Sequence, residues 1–286
     1  MKRVKSYALS WHDGYEWRKP KRRFVVYERW PKSKEEILAT NEEAVLVAKG
    51  KIGDIIYLKT DKHRIEDIEW ELTPEERRRR DRIQEIAAQR QVTRLVHFTR
   101  LSNVESILSL GLLSVQDLNK RNIPFLENDT LRLDGYREAI SLSVSFPNYM
   151  YFYRKRQELE GSWAVLELAP EILWQKDCAF CVINAAAQQI RALSLEELKD
   201  PESFAKMFGD CGISRDRLAI PNDYPTNPQA EVLVFENIEP SYIKRIAVPS
   251  KADAKNIKTD IPVEVDPTLF SPRCDYAHWR NDNDGF

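Results

Sequence analysis

Hydrophobic and polar positions alternate in two textures that meet near Gln91. Ahead of it, short alternating runs predict a small β-rich unit over residues 1–72. Its strands fall near Phe24–Tyr27, Ala44–Ala48 and Ile55–Leu58, with a short helix near Lys34–Thr40. Lys51-Ile52-Gly53-Asp54 has the composition of the turn between the last two strands. Thr73-Pro74-Glu75-Glu76 then starts a helix, with Thr73 as cap, Pro74 in the first turn and Glu76 three residues after the cap. This segment carries Arg77 to Arg80 and Arg82 but few apolar positions (Ile83, Ile86, Ala87), so residues 73–90 read as a basic surface or linker helix.

From Gln91 onward, short strands alternate with amphipathic helices and no internal repeat is present. Val92–Phe98 is expected as a strand. Ser102-Asn103-Val104-Glu105 reads as a capping box for a helix with Val104, Ile107, Leu108 and Leu112 on its apolar face, and Gly111 supplies the stop. A second strand is expected over Ala139–Phe146 and a helix over Tyr149–Leu159. Four more strands are expected over Trp163–Leu168, Ala179–Ile183, Ala230–Phe235 and Ile243–Val248, with short helices around Leu195–Leu198 and Glu202–Met207. Mixed short strands with few helices predict an α+β fold over residues 91–250, not a doubly wound parallel sheet. Residues 251–286, ending Asn281-Asp282-Asn283-Asp284-Gly285-Phe286, read as a poorly ordered tail.

Composition narrows the class. With 286 residues, 42% hydrophobic and 31% charged, the chain is neither collagen-like, low-complexity nor wholly disordered. No window approaches the roughly 18–20 apolar residues of a spanning helix, and Met1–Ser10 lacks the apolar centre of a secretory signal. A cytoplasmic protein with no membrane contact is the expectation. The net charge of −1 hides an asymmetry: residues 1–90 hold 22 Lys and Arg against 17 Asp and Glu, and the remainder 22 against 28. The front half would therefore meet a polyanion, unless both halves are merely solvated surfaces.

Candidate chemistry emerges by elimination. There is no Gly-x-Gly-x-x-Gly, no phosphate loop and no Gly-x-Ser-x-Gly elbow. Cys178 and Cys181 have a two-residue spacing, but no second tight pair completes a zinc site, so they read as buried reduced thiols and no metal is expected. Three pieces remain. His97-Phe98-Thr99 ends the first strand of the second unit, where an imidazole and a hydroxyl can project together. Arg137 precedes a strand that presents Ser141, Ser143 and Ser145 on one side, followed by Tyr149, Tyr151 and Tyr153, whose rings could offer a flat face. The loop Pro221–Ala230 runs into Gln229-Ala230-Glu231-Val232-Leu233-Val234, where Glu231 opens an apolar strand and shares a face with Gln229. Such a carboxylate could stabilise a developing oxocarbenium ion.

In this order, the three pieces resemble the ADP-ribosyltransferase superfamily, and in particular its DarT-like branch that modifies nucleic acid. The resemblance covers roughly Arg94–Pro249 and implies NAD+ bound in a split β-sheet cleft of a catalytic domain. It implies that His97 and Thr99 hold the ribose side, that Ser143 lines the cofactor, and that a tyrosine among Tyr149, Tyr151 and Tyr153 stacks on nicotinamide. Glu231 corresponds to the catalytic Glu. Arg137, or Arg132 in another register, corresponds to the Arg that assists at the acceptor base, although a free Arg is a poor general base. The implied activity is transfer of ADP-ribose to a base in single-stranded DNA or RNA by a toxin or phage-defence effector with an antitoxin partner. Two alternatives remain at this level: a protein mono-ADP-ribosyltransferase and an inactive nucleic-acid-binding module. Residues 1–90 have no counterpart in the resemblance. There, Arg18, Lys19, Lys21, Arg22 and Arg23 lie among Trp11, Tyr15, Trp17, Tyr27 and Trp30, a mixture suited to single-stranded nucleic acid or to the unit's own core and rim.

Overall fold

The computed structural model describes Val4–His12, Trp17–Arg18, Arg23–Tyr27, Ile55–Leu58, Asp61–Trp70 and residues 74–126 and 135–280. The chain divides into two units, Met1–Arg78 and Arg79–Phe286. In the first, β1 (Val4–His12) pairs antiparallel along one edge with β2 (Trp17–Arg18) and β3 (Arg23–Tyr27). Strands β4 (Ile55–Leu58) and β5 (Asp61–Trp70) form a hairpin, with β5 on the other edge of β1. The expected strands near Phe24 and Ile55 correspond to β3 and β4. The Lys34–Thr40 helix, the Ala44–Ala48 strand and the Lys51–Asp54 turn lie outside the described residues. Sequence reading missed β5 because Ile65, Ile68 and Trp70 are too sparse among its charges to display alternation.

Helix α1 spans Pro74–Gln89. Arg77, Arg78 and Arg82 are exposed along it, while its apolar face is anchored. Ile83, Ile86 and Ala87 are buried in the main core of the second unit, Arg79 Nη2 donates to the Cys178 carbonyl at 3.2 Å, and Arg82 pairs with Glu202 at 3.1 Å.

The second unit is built on seven strands: β6 (Leu95–Arg100), β7 (Ile140–Val144), β8 (Trp163–Leu168), β9 (Cys178–Cys181), β10 (Glu231–Val234), β11 (Ile243–Val248) and β12 (Val263–Val265). Their order is β12-β11-β8-β6-β7-β10-β9, antiparallel except for the β11–β12 pair. Every residue of β8 is buried, because apolar clusters cover both sheet faces: Leu166 and Leu168 belong to one cluster, Trp163 and Val165 to the other. Helices α2 (Val104–Leu110), α3 (Val115–Lys120) and α4 (Tyr149–Glu158) complete the frame around the site. Phe152 of α4 stacks on Phe98 at 4.4 Å between ring centres and meets Trp163 and Phe270 at 5.5 Å each. These contacts fix α4 against β6 and β8.

The functional opening lies between β6 and β7. Their ladder holds only Leu95 opposite Val144 and Val96 opposite Ser143, after which the strands diverge. On its other edge β6 stays paired with β8 over all six residues, so the split is local.

Three expectations change. Asn103, not Ser102, stands before α2, and its side chain makes no cap. Gly111 does end α2: φ is +84°, and a Cβ there would lie 2.2 Å from the Ile238 carbonyl oxygen. Strand β7 stops at Val144 because Ser145 adopts φ +60°, so Ser145 does not join Ser141 and Ser143 on their face. Residues 250–280 form a segment that is built into the fold. It contributes β12, buried Leu269 and Phe270, and a buried Arg273–Asp275 pair. Among the described residues, no helix is long and apolar enough to cross a membrane.

Candidate active site

A cavity of about 310 Å³ opens where β6 and β7 part. His97 and Thr99 of β6, Ser141 and Ser143 of β7, and Gln229 and Glu231 at the start of β10 face it. The period of two places His97 with Thr99, Ser141 with Ser143, and Gln229 with Glu231. Apolar residues of α2, α3 and the chain that follows, including Ile107, Leu118 and Phe125, line it as well.

His97 Nδ1 lies 2.9 Å from the Ser141 carbonyl oxygen. A carbonyl only accepts, so Nδ1 carries the proton, and in the neutral ring Nε2 is an acceptor. The imidazole thus crosses the gap where the β6–β7 ladder stops. Glu231 Oε2 accepts from Ser141 Oγ at 3.2 Å, and Oε1 accepts from Asn184 Nδ2 at 2.9 Å. One strand neighbour therefore holds each side of the carboxylate, since β10 lies between β7 and β9 and Asn184 follows β9. Thr99 is buried, and its Oγ1 accepts from Asn103 Nδ2 at 3.2 Å. Asn103 also clasps the backbone of Leu126, through N–H and carbonyl at 3.0 Å each, and so closes one cavity wall.

Helix α4 presents its i, i+3, i+4 stripe: Tyr151, Arg154 and Lys155 line the cavity below its N-cap Asn148. Tyr149 and Tyr153 occupy other stripes. Tyr149 is buried edge-on against Tyr276, and Tyr153 is 57% exposed. Of the three tyrosines, the cavity contains Tyr151. Arg154 and Lys155 approach its ring to 5.7 and 5.3 Å. Asn148 lines the cavity as well; its Oδ1 caps the helix at Tyr151 N, and its Nδ2 is buried without a partner.

Arg137 is exposed and does not line the cavity; its carbonyl accepts from Gln116 N at 3.1 Å. Arg132 lies outside the described residues, as do Lys19, Lys21 and Arg22, while Arg18 falls in β2 and Arg23 in β3. Cys178 and Cys181 are both buried but enter different apolar clusters, Cys178 on one sheet face and Cys181 on the other. Burial, reinforced by Asp177, pushes the Cys178 thiol up. Among the described residues, no three His, Cys, Asp or Glu side chains are grouped to hold a metal ion.

The loop ahead of Glu231 is held by two arginines. Arg215 donates to the carbonyls of Pro221, Asn222 and Tyr224 at 2.7–2.9 Å and to Thr226 Oγ1 at 3.2 Å. Arg273, only 3% exposed, donates to the carbonyls of Pro225 and Thr226 at 2.8 Å each and is braced by Asp275, which also accepts from Trp279 Nε1. Asn184, Asn103, Tyr151 as the cavity tyrosine, and both clamping arginines are brought to the site by tertiary packing. None has a local motif.

A family model described as "DarT: ssDNA thymidine ADP-ribosyltransferase, DarT" matches residues 96–273. A comparison with curated proteins finds no match. Among solved structures, Thermosipho africanus DarTG in complex with ADP-ribose is 20% identical, covers 62% of this chain and 51% of its own, and has a TM-score of 0.45. Thermus sp. 2.9 DarT in complex with ADP-ribosylated ssDNA is 14% identical, covers 63% and 97%, and has a TM-score of 0.44. The chain spans about half the length of the first and nearly all of the second.

Proposed function

The chain belongs to the DarT family of single-stranded-DNA thymidine ADP-ribosyltransferases, and from that premise we propose that it transfers ADP-ribose from NAD+ to a thymine base. The observation that carries the reading is the Glu231 carboxylate, held at the cavity by Ser141 and Asn184 beside His97 and Thr99. NAD+ supplies a cationic nicotinamide leaving group. When the bond from ribose to nicotinamide breaks, its electron pair leaves with nicotinamide and positive charge grows on the ribose. A carboxylate already fixed there favours that state over the ground state without reorganising. The acceptor is the ring nitrogen of thymine that carries a proton, which it loses as the new bond to ribose forms.

His97, through Nε2, and Thr99 are assigned to the ribose hydroxyls. Ser143 and Asn148 line the same cavity, and Tyr151, the one of the three tyrosines that lines it, is assigned the nicotinamide ring in place of Tyr149 and Tyr153. Arg154 and Lys155 supply positive charge for phosphate. Arg137 receives no part in bond cleavage. The basic front unit, with Arg18, Lys19, Lys21, Arg22 and Arg23, is assigned a contact with the single strand, and a neutralising antitoxin protein is the expected partner of this cytoplasmic activity.

The test incubates the full chain with labelled NAD+ and, separately, thymidine-containing single-stranded DNA, DNA lacking thymidine, RNA and a protein pool. Label retained on the first alone is expected. Label on protein alone would replace the reading with protein modification, and NAD+ binding without nicotinamide release would replace it with an inactive binding module.

A further inference from the structure

Building on the reading of Glu231 as the catalytic carboxylate, we infer that Asn184 is a positioning residue that sets the direction of that carboxylate. Asn184 stands in the turn after β9, three residues beyond Cys181, the β9 partner of Glu231. Its side-chain amide faces two groups of opposite demand. Oδ1 accepts from Ala186 N at 2.9 Å, and Nδ2 donates to Glu231 Oε1 at 2.9 Å. Because Ala186 N can only donate and an ionised carboxylate can only accept, just one orientation of the amide satisfies both. The turn thus aims a fixed N–H at Glu231.

From the opposite neighbouring strand, Ser141 Oγ approaches Oε2 at 3.2 Å, and the carbonyl of the same Ser141 lies 2.9 Å from His97 Nδ1. His97, Ser141, Glu231 and Asn184 are therefore joined in one line across the split. A Glu side chain entering an open cavity has free rotamers that would blur its position, and hydrogen bonds to an ionised acceptor are the stronger kind. With a donor of fixed position on each oxygen, the carboxylate keeps a defined direction, which is what stabilises a charge that appears only in the transition state. Among the described residues, the other titratable or charged groups lining the cavity are His97, Tyr151, Arg154 and Lys155.

Asn184→Ala and Asn184→Asp in the full chain separate this role from that of a turn-former. Asp keeps an oxygen for Ala186 N, so the turn survives, but it removes the N–H and places a second carboxylate against Glu231. The readouts are nicotinamide release across pH, the KM for NAD+ and the melting temperature, with Glu231→Gln as control.

Asn184→Ala should lower kcat on the order of 10- to 100-fold with KM unchanged, the scale of a misplaced catalytic group. Asn184→Asp should acquire a titration that the native chain and the Ala variant lack. While the pair shares one proton, the Asp hydroxyl can donate to Glu231; once that proton leaves, two like charges repel and activity falls as pH rises. Wild-type activity in Asn184→Asp at every pH, or an unchanged kcat in Asn184→Ala, would overturn the inference. If Asn184→Ala melts early, the Asp profile decides alone. A fully active Glu231→Gln would instead overturn the reading of Glu231 itself.

Discussion

Replacing Arg273 with Met keeps most of the aliphatic length and deletes the guanidinium that pins the loop ahead of Glu231. The native guanidinium donates to both Asp275 oxygens, at 2.7 and 2.5 Å, and to the carbonyls of Pro225 and Thr226, at 2.8 Å each. Arg273 and Asp275 are 3% and 2% exposed, so solvent cannot take over these bonds. Breaking a buried pair by removing one partner leaves an uncompensated charge and costs about 3–5 kcal/mol. For a unit of this size each kcal/mol lowers the melting temperature by about 2–4 °C, giving a drop of about 6–20 °C. The double variant Arg273→Met/Asp275→Leu should recover part of that loss, because no buried charge is then stranded. Thermal melts of the native chain, both single variants and the double variant settle the matter. A fall below about 2–4 °C for Arg273→Met, the equivalent of about 1 kcal/mol, or a double variant no better than the worse single one, would refute the clamp.

The same geometry leads to three shorter predictions. His97→Ala should weaken NAD+ binding in calorimetric titration more than it lowers the melting temperature; an unchanged affinity with a large thermal loss would return His97 to a purely structural role bridging to Ser141. Cys178 and Cys181 should resist alkylation in the native protein at neutral pH, since both are buried and the Cys178 thiol is pushed up, while exposed Cys274 reacts; mass spectrometry of the folded and unfolded chain reads this directly. Neutralising Arg18, Lys19, Lys21, Arg22 and Arg23 together should flatten the salt dependence of single-stranded DNA binding, by a log-log slope of about 0.7 for each phosphate that no longer meets a cation. An unchanged slope would place strand binding elsewhere.

What the sequence makes legible here is what periodicity and residue chemistry encode locally. Trp163–Leu168 and Ile243–Val248 are strands at their expected limits, with Gly161-Ser162 ahead of the first and Pro170 and Pro249 close behind their ends. His97, Thr99 and Glu231 declare themselves as polar groups on otherwise apolar strands, and the cavity gathers all three. The remainder is set by contacts distant in sequence. The three tyrosines of α4 are equivalent in composition, and only the rotation fixed by Phe152 against Phe98 and Trp163 turns Tyr151 toward the cavity. Asn184 sits among alanines with no motif, and its partner Glu231 is 47 residues away. The tail resembles a solvated terminus because its decisive residues, Arg273, Asp275 and Trp279, are polar or isolated, and their burial follows from the loop carbonyls they satisfy.

The most direct test of the central claim is the rate of nicotinamide release by Glu231→Gln in the presence of NAD+ and thymidine-containing single-stranded DNA. The substitution removes charge while nearly preserving shape, and the Ser141 hydroxyl can turn to accept from the new amide while its oxygen keeps Asn184. The melting temperature and NAD+ affinity should therefore stay near native, while release and transfer fall on the order of 10²-fold or more, the scale of a lost preorganised electrostatic group. Release at the native rate by a folded Glu231→Gln protein would contradict the account.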